Sequence, residues 1–187
     1  MRGAMAHPAA LLLVTVVYPL WVAAGLADWA CHRATCIATT SGLRENLLHQ
    51  LMFVQMGLAV AAMALLQVNA GVLLLLAALF VLHEATVWWD LRVSLPLRRV
   101  TAFEQMVHSF QELLPLVSLL LLAAMAWDQA LALVGLGREP ADLRLRWKDD
   151  PLPPALLVGG AALAAVCNAL PLAQESLACL RARRVSR

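Results

Sequence analysis

The sequence predicts an all-α fold: a polytopic membrane helical bundle with about five transmembrane helices, four of which carry potential ligands. Hydrophobic residues make up 62% of the 187-residue chain and charged residues only 14%, which is too little polar surface to cover a soluble globule. The mean hydropathy is +0.76, and several apolar runs are long enough to cross the hydrocarbon core of a bilayer. We therefore expect residues 1–187 to form a single integral membrane domain.

The first predicted span covers residues 8–27. A secretory signal peptide is the alternative, because Arg2 precedes the apolar run and small residues end it. The run is long for a signal peptide, and Asp28 and His32 follow it directly in a pattern that recurs later in the chain. We therefore favour a retained helix.

The second span is predicted over residues 43–66, after hydroxyl residues such as Ser41 that are typical of helix starts. Asn69-Ala70-Gly71 predicts a tight turn, and the third span follows over residues 72–89. Pro96 then interrupts the chain.

The fourth span is predicted over residues 101–127, with Pro115 inside it. Residues 128–154 form the longest polar connection, and the fifth span is expected over residues 155–173. An arginine-rich tail closes the sequence.

Basic residues beside the spans predict the orientation, since cytoplasmic loops are enriched in Lys and Arg. At one end of the bundle they are Arg33, Arg44, Arg92, Arg98, Arg99, Arg181, Arg183, Arg184 and Arg187. At the other end they are Arg2, Arg138, Arg144, Arg146 and Lys148. This bias predicts an external N-terminus and a cytoplasmic C-terminus. The net charge of +2 is small and dispersed, which argues against nucleic-acid binding.

Four of the five histidines accompany carboxylates near the ends of these spans, all on the predicted cytoplasmic side. Residues four apart share a helix face, so such pairs can aim two ligands at one point. Ionisable groups at membrane depth are costly and usually mark a functional site. The candidate metal ligands are Asp28, His32, Glu45, His49, His83, Glu84, Asp90, Glu104, His108 and Glu112.

This ligand set is larger than one metal ion can use, because a zinc ion takes three or four ligands. Mixed imidazole and carboxylate ligation suits iron or manganese. The four ligand-bearing helices resemble, in architecture, the di-iron carboxylate helical-bundle proteins, although those use Glu-x-x-His and this chain uses a spacing of four. The resemblance implies two metal ions, iron in the first place, with zinc or manganese as alternatives.

Three functions are compatible with such a site. The favoured one is an oxygen-dependent oxidoreductase that takes a lipid-soluble or amphipathic substrate from the surrounding membrane lipids and electrons from a donor. The second is a zinc-dependent intramembrane lipid hydrolase, similar in chemistry to ceramidase-like enzymes, and the third is a metal carrier or sensor without catalysis.

A structural alternative needs no metal: the histidines and carboxylates could instead pair between helices and with nearby arginines such as Arg33, Arg44, Arg92 and Arg98. Cys31 and Cys36 flank His32 and are read as ordinary thiols rather than ligands.

Overall fold

A computed structural model describes residues 7–185 as an all-helical protein. Two of the basic residues used to predict the orientation, Arg2 and Arg187, lie outside the described residues. Arg2 is also the basic residue on which the signal-peptide alternative depended. The six helices are α1 (Pro8–Ala34), α2 (Leu43–Leu65), α3 (Ala70–Ser94), α4 (Ala102–Met125), α5 (Trp127–Leu133) and α6 (Pro154–Val185). All except the short α5 are long and apolar enough to cross a membrane.

Several helices continue beyond the apolar runs from which they were predicted. Helix α1 ends at Ala34 rather than near residue 27, α3 ends at Ser94 rather than near residue 89, and α6 ends at Val185 rather than near residue 173. The polar residues that follow each run are compatible with a helix, so hydropathy marks the end of the apolar segment and not the end of the helix. Ionisable side chains are therefore held on rigid helical turns.

Helices α1 and α6 each contain a wider π-helical turn before a proline. In α1 this turn is Leu13–Val17, followed by Pro19, and in α6 it is Ala165–Ala169, followed by Pro171. Proline has no N–H to donate, so the regular hydrogen-bond ladder cannot continue through it and the local turn widens.

The two irregular helices pack against each other. The Tyr18 hydroxyl donates to the Gly160 carbonyl over 2.7 Å. Gly25 faces Asn168 so closely that a Cβ at this position would lie 2.8 Å from the Asn168 Oδ1 atom. The absence of a side chain at Gly25 therefore sets how closely α6 approaches α1.

The apolar core lies in the half of the bundle farther from the histidines, where α2, α3 and α4 meet. Its buried residues are Ala59, Ala62, Val72, Leu73, Leu76, Leu79 and Leu122. This core fixes the relative positions of the three helices whose other ends carry polar side chains.

An extended segment after α5 closes that apolar end. The Lys148 amide donates to the Leu65 carbonyl and the Gly71 amide donates to the Asp142 carbonyl, each over 2.9 Å. The Lys148 ammonium caps the end of α2 by donating to the Met63 carbonyl, and burial lowers the pKa of this lysine. The bundle is thus tied together at the end opposite the histidines.

Candidate metal centre

Buried ionisable side chains from five helices meet at one end of the bundle, and a loop arginine joins them. The structure places Asp28 and His32 on α1, Glu45 and His49 on α2, Asp90 on α3, Glu104 and His108 on α4, Glu175 on α6, and Arg98 in the α3–α4 connection. Asn46 adds a buried amide from α2. We refer to these ten residues as the polar cluster.

Local sequence determines how α2 and α4 present their carboxylates. Thr101 caps α4 through a reciprocal arrangement: its hydroxyl accepts from the Glu104 amide, and the Glu104 carboxylate accepts from the Thr101 amide. Glu45 lies in the first turn of α2, where the helix dipole favours a negative charge. Both glutamates are fully buried, so the helix starts themselves carry these charges into the bundle.

Two imidazole rings form the centre of the cluster. The rings of His32 and His49 stack almost parallel, with centroids 4.5 Å apart and planes inclined by 5°. One carboxylate serves both: Glu175 Oε2 lies 3.0 Å from His32 Nδ1, and Glu175 Oε1 lies 3.7 Å from His49 Nδ1. The Asn46 amide donates to the same Oε1 atom over 2.9 Å and fixes the carboxylate. A carboxylate behind a histidine ring typically orients that ring toward a metal.

The opposite edge of the His32 ring faces a first set of acceptors. His32 Nε2 lies 3.4 Å from Asp28 Oδ1 and 3.7 Å from Glu104 Oε1. His108 Nε2 lies 3.0 Å from the same Asp28 atom. These four residues offer ligand atoms within 4.8 Å of one another, and we call them the first ligand group.

A second set surrounds His49. Its Nε2 atom lies 3.4 Å from Asp90 Oδ2 and 3.9 Å from Glu45 Oε1. His32, Glu45 and His49 also offer ligand atoms within 4.8 Å of one another, and we call them the second ligand group. The two groups share His32, so any ions held in them would be close neighbours.

Arg98 connects the two groups from the other side. Its Nε atom donates to both oxygens of Glu45 over 2.9 and 3.0 Å, and its Nη2 atom lies 2.6 Å from Glu104 Oε1. A further hydrogen bond reaches the Thr35 hydroxyl over 3.3 Å. Burial alone would lower the pKa of Arg98, but the hydrogen bonds to Glu45 and Glu104 raise it above its ordinary value, so the guanidinium stays charged. The alternative in which carboxylates pair with nearby arginines is therefore correct for Arg98 with Glu45 and Glu104.

Arg98 does not neutralise the cluster. The cluster contains five buried carboxylates and one guanidinium, which contacts two of them, so four negative charges remain uncompensated when the histidines are neutral. The buried His32 Nε2 and Asp90 Oδ1 atoms have no hydrogen-bond partner among the described residues. Buried atoms of this kind normally have partners, and a cation placed between them would supply one. The donor set of imidazole nitrogens and carboxylate oxygens is one that transition metals accept.

Four of the residues expected from the sequence lie outside both ligand groups, although one of them, Asp90, remains in the polar cluster beside His49. His83 and Glu112 line the cavity described below, whereas Glu84 lies at the partly exposed surface of α3. His83 is seven residues from Asp90 and Glu112 is eight from Glu104, so each lies two turns deeper in the bundle. Sharing a helix face did not place them at the same depth. Neither Cys31 nor Cys36 belongs to either group.

The sequence interpretation missed Glu175 and Asn46. Glu175 lies beyond the expected end of the fifth span, in Gln174-Glu175-Ser176, and the fold turns it inward. Its position as the first acidic residue after a long apolar helix was the available signal, and the same signal had identified Asp28. The expectation of four ligand-bearing helices thus becomes five helices around the cluster.

A large cavity of about 1090 Å³ adjoins the cluster. His32, His49 and His108 border it at one end, and Lys148 borders it at the other. Between these ends the lining is mostly apolar, with side chains such as Met56 from α2 and residues of α1, α4 and α6. The cluster is therefore reached through a space suited to a hydrocarbon chain.

No protein-family model, curated protein or solved structure matches this chain. The geometry of the polar cluster and of the cavity beside it is therefore what supports a function.

Proposed function

We propose that this chain is an integral membrane metalloprotein whose polar cluster holds two divalent metal ions, iron in the first place, and that it oxidises a lipid-soluble or amphipathic substrate with molecular oxygen. The observation that carries the proposal is the stacked His32–His49 pair. The Glu175 carboxylate lies behind both rings, 3.0 Å from His32 Nδ1 and 3.7 Å from His49 Nδ1, and the two ligand groups that share His32 lie in front.

The outer surface of the bundle supports membrane insertion. Large apolar side chains on four of the long helices are more than half exposed, among them Leu58, Leu74, Val81, Leu120 and Val158. A soluble monomer rarely exposes so much apolar surface, whereas lipid would cover it. The excess of arginines around the polar cluster favours a cytoplasmic location for the cluster and for the C-terminus.

Charge supports two ions rather than one. Two divalent cations would balance the four uncompensated negative charges, while all histidines remained neutral and free to ligate. A single divalent cation would leave half of that excess buried, which is costly in a low-dielectric interior. The first ligand group, which includes His32, would hold one ion, and Glu45, His49 and Asp90 would hold the other, because the one free nitrogen of His32 can bind only one ion.

Mixed nitrogen and oxygen ligation supports iron, and the cavity supports an apolar substrate. Iron bound here would supply the one-electron chemistry that allows oxygen to react with a C–H bond. Glu175 would orient the two imidazoles, and Arg98 would hold Glu45 and Glu104 in position. Insertion of one oxygen atom into a C–H bond of the substrate leaves the second to form water, which requires two electrons from a separate donor and two protons from solvent.

Metal analysis of purified protein tests the proposal. We expect about two iron atoms per chain after expression with iron, zinc and manganese all supplied. Replacing His49 and His108 together by alanine, one from each ligand group, should remove most of this metal. His7→Ala is the matched control, because His7 is exposed at the start of α1 and should leave the metal content unchanged.

The other outcomes are equally informative. One zinc per chain would support the hydrolase in place of the oxidoreductase, because zinc has no redox chemistry and instead activates water. Purified protein that binds none of the supplied metals would contradict the metalloprotein proposal. Full metal content in the variant with both His49→Ala and His108→Ala would also contradict it.

Membrane orientation has its own test, using the exposed Cys36 beside the cluster. In right-side-out vesicles, a membrane-impermeant maleimide should label Cys36 only after permeabilisation. A Glu139→Cys variant that also carries Cys36→Ser should be labelled without it, because Glu139 is exposed in the opposite connection. The reverse labelling pattern would invert the proposed orientation.

A further inference from the structure

His83 is a buried polar side chain that the proposed metal centre does not use. It lies on α3 with only 4% of its surface exposed, and neither ring nitrogen has a hydrogen-bond partner among the described residues. An imidazole buried in this way forfeits its hydrogen bonds to water without replacement, at a cost in free energy. Such a group is typical of a site that receives a ligand.

His83 also lines the cavity beside the cluster. His83 precedes Asp90 by seven residues on the same helix, which places it about 10 Å along the helix axis from the proposed metal ligands. Both His49 and Met63 of α2 line the same cavity, so it runs along about 21 Å of that helix. That length accommodates a single lipid chain, because the roughly 30 Å hydrocarbon core of a bilayer holds two chains end to end.

The charges around the cavity determine what kind of polar group His83 could bind. At the cluster end, the carboxylates of Asp28, Asp90 and Glu175 border the cavity with His32, His49 and His108, and Glu112 borders it from α4. The lining cation Lys148 is at the far end, together with Asp149 and Asp150. Because no basic Lys or Arg side chain of the described lining lies beside His83, an anionic group would be uncompensated there. A neutral imidazole, with one donor and one acceptor, matches a hydroxyl or carbonyl group.

We infer that His83 binds the neutral polar group of a single-chain lipid that lies in the cavity, and thereby sets which carbon faces the polar cluster. This inference rests on the proposed function only in calling that lipid a substrate; the binding site itself depends on the cavity and on His83. His83 is thus a positioning residue, and the carbon exposed to the cluster lies about 10 Å from the bound hydroxyl or carbonyl.

Binding of radiolabelled 8-hexadecanol, whose mid-chain hydroxyl can reach His83 near the middle of the cavity, to the metal-loaded protein in nanodiscs tests the inference, with hexadecanoate and hexadecane as competitors. We expect the wild type to bind the alcohol more tightly than either competitor. His83→Leu should lower the affinity for the alcohol about tenfold and leave that for hexadecane unchanged, because only the hydrogen bond is lost. His83→Gln, which keeps a donor and an acceptor, should restore part of the preference for the alcohol.

Thr86→Val is the matched control. Thr86 lies one turn along α3 and accepts a hydrogen bond from Gln55 over 3.0 Å instead of lining the cavity, so its loss should not change the preference for the alcohol. Thermal melting of each variant identifies those that fail to fold, and the His83→Gln variant provides the second measurement if His83→Leu unfolds.

Equal binding of the alcohol and hexadecane by the wild type would overturn the inference, as would an unchanged preference in the folded His83→Leu variant. Loss of metal from His83→Leu would also overturn it, because His83 would then be a ligand. A wild type that fails to bind metal under any supply but still prefers the alcohol would support the His83 site while contradicting the proposed metal centre, so the two failures are distinguishable.

Discussion

Glu175→Gln is the substitution that most sharply separates a metal centre from a network of ion pairs. The variant keeps the shape of the side chain and removes its charge. Glu175 is 5% exposed, lies 3.0 Å from His32 Nδ1 and 3.7 Å from His49 Nδ1, and accepts from Asn46. A glutamine has a single acceptor oxygen and no charge, so it cannot accept from His32 Nδ1 and from the Asn46 amide at once, nor attract the His49 ring as a carboxylate does.

The expected loss follows from the role of such carboxylates. Removing a group that orients a metal-bound histidine typically lowers metal affinity about 10- to 100-fold, which corresponds to about 1.4 to 2.7 kcal/mol. Because one carboxylate serves two rings, we expect Glu175→Gln to fall in the upper half of that range. If the cluster were only a set of ion pairs, the substitution would change stability without any metal-dependent effect.

Chelator competition on the metal-loaded protein in detergent measures this loss. Ser176→Ala is the control, since Ser176 shares the Asn46 network but its hydroxyl contacts Asn46, Gln50 and the Leu172 carbonyl instead of the imidazoles. We expect Ser176→Ala to change metal affinity less than threefold, as is usual for a residue without contact to the ligands. Equal metal affinities for Glu175→Gln and the wild type would refute the role assigned to Glu175.

Three further predictions concern stability, each measured by SDS titration in mixed micelles. Arg98→Met should destabilise the metal-free protein by about 3 to 5 kcal/mol, because two buried carboxylates lose their counter-ion. Bound metal should reduce that loss of stability, and an equal loss with and without metal would contradict the prediction. Gly71→Ala should destabilise the protein by about 1 to 3 kcal/mol, since the added Cβ would meet the Leu143 backbone at 2.6 Å. Gly57→Ala is the control: the space around Gly57 is open, so this substitution within a helix should stabilise the protein by up to about 1 kcal/mol. Thr101→Ala should cost about 1 kcal/mol through loss of the cap, and Thr101→Ser should recover most of it.

The parts of the molecule that depend on local spacing could be predicted from the sequence. Five apolar runs predicted five long helices, and the structure contains five helices of sufficient length and hydropathy. The pairs Asp28/His32 and Glu45/His49 share a face because four residues make about one turn, and both enter the polar cluster. Two side chains one helical turn apart lie at nearly the same depth in the bundle and point in the same direction.

The parts that depend on packing between helices could not be predicted in this way. His83 and Asp90 were both candidate ligands and share a face of α3, yet two turns of helix separate them by about 10 Å. Arg98 was one of four arginines considered as partners for the histidines and carboxylates, and only the approach of α2 and α4 makes it the shared partner of Glu45 and Glu104.

Glu175 illustrates a different limit. Hydropathy locates the apolar part of a helix, but it does not show whether the helix continues into the polar residues that follow. Helix α6 runs on to Val185, and its packing against α1 and α2 turns Glu175 toward the imidazoles. The direction of this side chain depends on a contact between residues more than 120 positions apart in sequence, for example the bond from Asn46.

X-ray absorption spectroscopy of the purified, metal-loaded protein tests the central claim most directly, because it reports ligand type and metal–metal distance together. The account predicts imidazole nitrogen and carboxylate oxygen ligands and a metal–metal distance of about 3 to 4 Å, as in other two-metal sites. A spectrum with neither imidazole scattering nor a neighbouring metal would contradict it.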